Sequence, residues 1–217
     1  MFVVYHLEGS RSDRLIWLLE ELGLDYRVEA FERDPVTQQA PAEMKSLHPL
    51  AKAPMLGVPA DDARGEKARI LIESGAIFEY LLSRHEDGGL VPQVDDPDWP
   101  DYLQWLHFAE GSAMLPMVLD HYQAAGLCGP PGESPIAAMA RSELDRLYRT
   151  LDSILAEQVW IAGDRFTAAD VMMGWFVLMI EQRGDIGPYP SLARYAEKLR
   201  ARPAYQRASV RAAGPKD

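Results

Sequence analysis

The chain carries His48-Pro49-Leu50-Ala51-Lys52-Ala53-Pro54-Met55-Leu56 and then, one loop later, Ile72-Glu73-Ser74-Gly75-Ala76-Ile77. Pro54 heads an apolar run that reads as a strand, a position where its missing N–H removes no ladder bond. The residue before a proline is pushed into an extended conformation. Glu73 and Ser74 close a second apolar run, Ile70-Leu71-Ile72, and open a helical pattern. If the Ala53–Pro54 bond is cis, the backbone N–H and C=O of Ala53 face outward, where an extended peptide would pair with them as an added strand does. Ser74 stands where the first N–H groups and the dipole of a helix favour a carboxylate. Glu73 would hold an ammonium, and Lys52 would reach a second carboxylate. Each segment alone is ordinary, since Glu-Ser before a helix is also a common N-cap pair. Their order and spacing together describe a site for a small peptide-like ligand with an extended backbone and a free amino group.

That description fits glutathione, and the flanking sequence supplies a scaffold for it. Phe2–Leu7 is a short apolar run with a β-branched Val pair and reads as a strand. Leu15, Leu18, Leu19 and Leu22 then recur at helical spacing, stopped by Gly23. Tyr26–Phe31 reads as a second strand, 41–47 as a short helix, 55–58 and 68–72 as a hairpin, and 74–83 as a helix. This order predicts a small α/β domain with a mixed sheet, matching a thioredoxin-like arrangement. It is assigned residues 1–84.

Residues 85–100 read as a linker, because Gly88, Gly89, Pro92, Pro97 and Pro100 crowd together with Asp residues. From 101 to 217 the pattern is all-helical. A long helix is expected over 101–123 with a bend at Pro116, a Pro/Gly-rich break over 126–135, and further helices over 136–158, 171–180 and 190–201. Thr167-Ala168-Ala169-Asp170 resembles a capping box with Asp in place of the usual Glu or Gln. Pro203 is expected to interrupt the last helix.

Bulk composition narrows the partners. The 217 residues carry a formal net charge of -11, with no dense basic run, which argues against nucleic acid and anionic membrane surfaces. A hydrophobic content of 47% with five Trp speaks for a real core. The single cysteine, Cys128, forbids an intrachain disulfide and suits a reducing, cytoplasmic compartment. The first residues lack the basic flank and apolar stretch of a signal peptide. The five His show no metal-ligand spacing, and there is no glycine-rich phosphate loop.

Over nearly its whole length the chain resembles a cytosolic glutathione transferase. The resemblance rests on Ser10-Arg11-Ser12-Asp13-Arg14-Leu15-Ile16-Trp17-Leu18-Leu19-Glu20-Glu21-Leu22-Gly23, on Ala53-Pro54, on Glu73-Ser74, and on Ala162-Gly163-Asp164-Arg165-Phe166-Thr167-Ala168-Ala169-Asp170. Arg202-Pro203-Ala204-Tyr205 is also typical of the family. Ser-Arg-Ser at the head of the first helix is most similar to the serine-type bacterial and fungal branch.

The resemblance implies that Ser10 hydrogen-bonds the glutathione sulfur and activates it, without being the nucleophile itself. Tyr5, where tyrosine-type members place their phenol, and Ser12 are the competing hydroxyls. Lys52 would hold the glycine carboxylate, Ala53 ahead of Pro54 would pair with the cysteinyl unit, and Glu73 with Ser74 would hold the γ-glutamyl end. A second pocket for a small hydrophobic electrophile is expected between the domains, with Glu110, Met114 and Met117 in its wall. By the same resemblance the protein is a homodimer and detoxifies electrophiles, with peroxide reduction as a side activity. A non-catalytic protein that sequesters apolar compounds on the same fold is the competing reading.

Overall fold

Strand β1 (Phe2–Leu7) pairs in parallel with β2 (Tyr26–Phe31), in register Phe2↔Tyr26 through Leu7↔Phe31. A parallel pair needs a crossover, and helix α1 (Ser12–Glu21) supplies it. The other side of β1 pairs antiparallel with β3 (Met55–Val58), which pairs antiparallel with β4 (Arg69–Ile72). The sheet order is β2-β1-β3-β4, the mixed sheet expected from the sequence. A short α2 (Met44–Leu47) lies between β2 and β3, and α3 (Ser74–Leu82) follows β4. The computed structural model describes residues 1–35, 37, 39–85, 88–127 and 134–214. Cys128 lies outside the described residues.

The chain divides into two compact units, Met1–Gly88 with the segment from Arg200 onward, and Gly89–Leu199. The helical region read from the sequence as 101–217 therefore ends earlier. Pro203 does not break a helix but starts one, α9 (Pro203–Ala212), with proline in the first turn where its missing N–H is harmless. Helix α9 packs on α1. Trp17 meets Tyr205 edge-to-face with centroids 4.9 Å apart. Arg202 grips both oxygens of Glu21 at 2.7 and 2.8 Å.

Glu20 receives Tyr26 Oη and Arg207 Nε, both at 2.6 Å, with Arg211 Nε at 3.1 Å. Burial pushes the Glu20 pKa up, but the Tyr26 and Arg207 hydrogen bonds and the charges of Arg211 and Arg207 outweigh it, so it falls below 4.5. A depressed carboxylate stabilises the fold above its unfolded pKa, and that contribution is lost as pH falls through the folded value. Acidifying below pH 4.5 is therefore expected to lower the amide protection factors in α9, relative to the intrinsic rate at each pH, by roughly three- to tenfold. A Glu20→Gln variant should show no such pH step; an identical step in both would refute the linkage.

The second unit is helical. It comprises α4 (Trp99–Phe108), a π-helical turn (Ala109–Ala113), α5 (Met114–Ala124), α6 (Pro135–Glu157), α7 (Ala168–Gln182) and most of α8 (Pro190–Arg200). Where the sequence predicts a bend, the structure shows a π turn just before Pro116. Pro116 cannot donate to the carbonyl of Ser112 and its ring crowds that carbonyl, and the π turn absorbs the misfit. The segment read as a linker is fastened to this unit. Ala168 N–H donates to Leu90 C=O at 2.9 Å, and Arg165 pairs with Asp96. Gly163, at φ 126, makes room for Asp98, whose Oδ2 would lie 2.6 Å from an added Cβ. Among the described residues no helix is long and apolar enough to cross a membrane.

Candidate functional site

The strand register decides which sequence segments meet. Tyr5 faces Met55 across β1–β3, and Met55 faces Ile72 across β3–β4. Extending both ladders by antiparallel geometry sets the end of β1 beside Ala53, and Ala53–Pro54 beside Glu73–Ser74. Leu7, Ala51, Ala53 and Met55 belong to one buried cluster, with Ile72 packed against it. Three sequence segments separated by tens of residues thus converge at one end of the sheet. The N-termini of α1 and α3 open at that same end, with the positive ends of their dipoles.

The Ala53–Pro54 bond is cis. Pairing of β3 begins at Met55, so Ala53 lies ahead of the ladder. Lys52 is exposed beside it. Glu73 is exposed with φ 71, and its carbonyl accepts the first α3 bond from Ile77 N–H at 3.0 Å. Ser74 is buried at the first position of α3. Among the described non-glycine residues, Ala51 (φ 46) and Glu73 hold left-handed backbones. Such conformations disfavour a side-chain-bearing residue and concentrate at ligand sites. Both flank the converging segments.

Ser10 follows the turn at Gly9 (φ 58) that carries the chain from β1 into α1. Arg33 pins this turn, its guanidinium donating to the carbonyls of Glu8 at 3.1 Å and Gly9 at 3.3 Å. Ser10 Oγ accepts from Ser12 N–H, a helix-end donor, at 3.2 Å and lies 2.7 Å from Ser12 Oγ. Ser12 is buried deeper, between Ser10, the backbone of Leu7 and the ring of His6. Tyr5 alternates with His6 along β1 and so points to the opposite face of the sheet from the His6–Ser12 contact. Its ring lies over Gly57, where an added Cβ would meet Tyr5 Cε2 at 3.2 Å and the phenol oxygen at 3.5 Å.

In the helical unit Glu110 sits in the π turn, and Met114 and Met117 are buried on α5. Sequence reasoning missed two contributors, His6 and Arg33. His6 offered a weak signal, as a polar residue on an otherwise apolar strand. Arg33 offered none, because its target is backbone.

Comparison with known proteins places the chain among relatives of one family. The family profile for the glutathione S-transferase N-terminal domain matches residues 4–89, and that for the C-terminal domain matches 120–198. The disulfide-bond oxidoreductase YfcG of Escherichia coli is 30% identical, over 98% of this chain and 96% of that protein. Glutathione S-transferase 1 of Saccharomyces cerevisiae is 29% identical over 93% of this chain and 91% of its own. A glutathione transferase family member from Pseudomonas fluorescens, solved with two glutathione bound, superposes at TM-score 0.75 with 26% identity, covering 95% of this chain and 91% of the other.

Proposed function

The chain belongs to the glutathione S-transferase family, and from that premise we propose that it activates the glutathione thiol at Ser10 for attack on small apolar electrophiles. The observation that carries this reading is the convergence of the end of β1, which leads through the Gly9 turn to Ser10, with Ala53–Pro54 and Glu73–Ser74 at one end of the sheet. A free thiol has a pKa of about 8.5 and is only a few per cent thiolate at neutral pH. A hydroxyl and the open N-terminus of α1 both favour the anion. The sulfur then attacks an electrophilic carbon, a C–S bond forms, and the leaving group departs with its electron pair.

In this reading Ala53 pairs with the cysteinyl unit through its backbone. Lys52 holds the glycine carboxylate, while Glu73 and Ser74 hold the γ-glutamyl end. Glu110, Met114 and Met117 contribute to recognition of the apolar partner, since methionine walls accept varied shapes. The working form is a homodimer in a reducing, cytoplasmic compartment. The likeness to YfcG favours a second reading in which the same thiolate attacks a disulfide. There the ligand supplies the sulfur, so no protein cysteine is needed; peroxides are attacked by the same logic.

Calorimetric titration with glutathione tests the site. Glu73→Ala is expected to weaken binding by about tenfold or more, through loss of a charge-assisted bond. Ser74→Ala should weaken it less, by about threefold to tenfold. Unchanged affinity in both variants would move the γ-glutamyl site elsewhere. Turnover of a chlorinated aromatic, set beside a mixed disulfide and an organic peroxide, separates conjugation from reduction. Binding without turnover of any of them would leave sequestration as the function.

A further inference from the structure

Ser10 heads a chain of buried polar groups that the proposed function does not use. Its Oγ is 2.7 Å from Ser12 Oγ, and Ser12 Oγ is 2.7 Å from His6 Nδ1. Ser10, Ser12 and His6 are only 7, 0 and 3% exposed, so water competes little for these bonds. We propose that the three side chains form a proton relay that carries the glutathione thiol proton from Ser10 through Ser12 to His6 Nδ1. The proposal rests on the assignment of the sulfur to Ser10.

Each hydroxyl has a single proton, so the chain has a direction. The ring of His6 hydrogen-bonds the backbone of Ala212 on α9. In the relay's starting state Nε2 carries the ring proton and Nδ1 accepts from Ser12. Ser12 O–H then donates to Nδ1, and its oxygen accepts from Leu7 N–H at 3.3 Å and from Ser10 O–H. The other acceptor near Ser12 O–H, the Leu7 carbonyl, is at 3.4 Å. In this direction Ser10 offers an incoming sulfur a lone pair, and the thiol S–H donates into it.

Ionisation then balances along the chain. The S–H bond breaks and its electron pair stays on sulfur. The proton passes to Ser10 Oγ as Ser10's own proton moves to Ser12 Oγ and Ser12's moves to Nδ1. Each hydroxyl holds one proton before and after, and the products are a thiolate and an imidazolium. The direction of the chain is now reversed, so Ser10 O–H donates to the sulfur anion. One step removes the proton and creates the donor that stabilises what is left.

The groups facing the ring suit this role. Burial lowers the His6 pKa below 6.5, which keeps the ring neutral and receptive at neutral pH. Asp13, on α1 with Oδ1 3.6 Å from Nδ1, and Glu8, just past β1, only partly offset that burial. The charge that holds the imidazolium once the proton arrives is the thiolate that the same transfer creates. Helix α9 presents the Ala212 backbone.

Glutathione binding to the wild type, followed by calorimetry in buffers of different ionisation enthalpy, counts protons released; ultraviolet thiolate absorbance counts anions formed. The relay predicts thiolate at neutral pH without a matching proton in the buffer. Ser12→Ala, which cuts the chain and leaves His6 in place, and His6→Gln should each lose about tenfold in thiolate while still binding glutathione. One proton released per thiolate in the wild type overturns the relay, and that count needs no variant. Wild-type thiolate in both variants overturns it as well. Wild type that fails to bind glutathione, or Ser10→Ala with undiminished thiolate, overturns the assignment of the sulfur and the relay with it.

Discussion

Asp170→Ala is expected to lower the thermal midpoint of the helical unit by about 10 °C or more, a loss of roughly 3–5 kcal/mol. The carboxylate is fully buried and gathers donors from three places. Ile161 N–H reaches Oδ1 at 2.9 Å and Tyr195 O–H reaches it at 2.7 Å. Thr167 N–H reaches Oδ2 at 2.8 Å, and its hydroxyl lies 3.1 Å away. Alanine strands the two amides and the phenol inside the protein, at about 1–3 kcal/mol for each donor that water cannot reach. Asp170→Asn keeps the shape but turns one acceptor into a donor, so an intermediate loss is expected. Tyr195→Phe removes one donor and leaves Ile161 satisfied, at about 1 kcal/mol.

Burial pushes the Asp170 pKa up to about 6 despite those bonds. A carboxyl raised above its unfolded value of 3.8 stabilises the fold fully below that value and loses the contribution as pH rises through about 6. The wild type should therefore shed stability between pH 4 and pH 7 relative to Asp170→Asn. Melting curves followed by circular dichroism check both statements. A midpoint for Asp170→Ala within about 2 °C of wild type would mean that the network adds nothing, against the usual cost of stranded donors.

The parts of the fold legible in the sequence were those with a local cause. Strands β1 and β3 show as apolar runs bounded by Gly, Pro and charged residues, β2 as an alternation with Arg27 and Glu29 between apolar positions, and α1 as a leucine stripe closed by Gly23. What escaped had long-range causes. Helix α9 is short, and its buried positions are only Ala204 and Ala208. Its place is secured by arginines reaching Glu20 and Glu21 on α1, a pairing that no local window contains. The π turn was readable only as trouble near Pro116, since proline marks the misfit but not the residues that absorb it. At the site, the two segments that opened the reading meet through the β3–β4 ladder, and the β1–β3 ladder brings the end of β1 beside them at Met55. Spacing along the chain suggested their association, and register explains it. Ser10 and Ser12 stand past β1, in the turn and at the head of α1, whereas Tyr5 points to the face opposite His6 and packs against the cluster of Ala53 and Met55. The rates of the variants decide among the three hydroxyls.

Activation of the thiol at Ser10, as proposed, predicts the largest functional effect. Ser10→Ala should reduce kcat/KM at neutral pH by about 10²-fold, the usual scale for losing one donor to a developing anion. The deficit should shrink as pH rises, because above about 8.5 the thiol ionises unaided and the hydroxyl has less to add. A change in ligand affinity would leave a deficit independent of pH, so the shape of the profile separates activation from binding. Tyr5→Phe is the control: a phenol lying over Gly57 on the other face of the sheet should cost less than about threefold. The measurement is initial-rate conjugation across the neutral and alkaline range for wild type and both variants. If Tyr5→Phe carried the hundredfold loss and Ser10→Ala did not, the phenol would be the activating group. The hydroxyl at the mouth of α1 would then be a helix-end ligand and nothing more, because a donor that stabilises the thiolate must be missed most where the thiolate is scarcest.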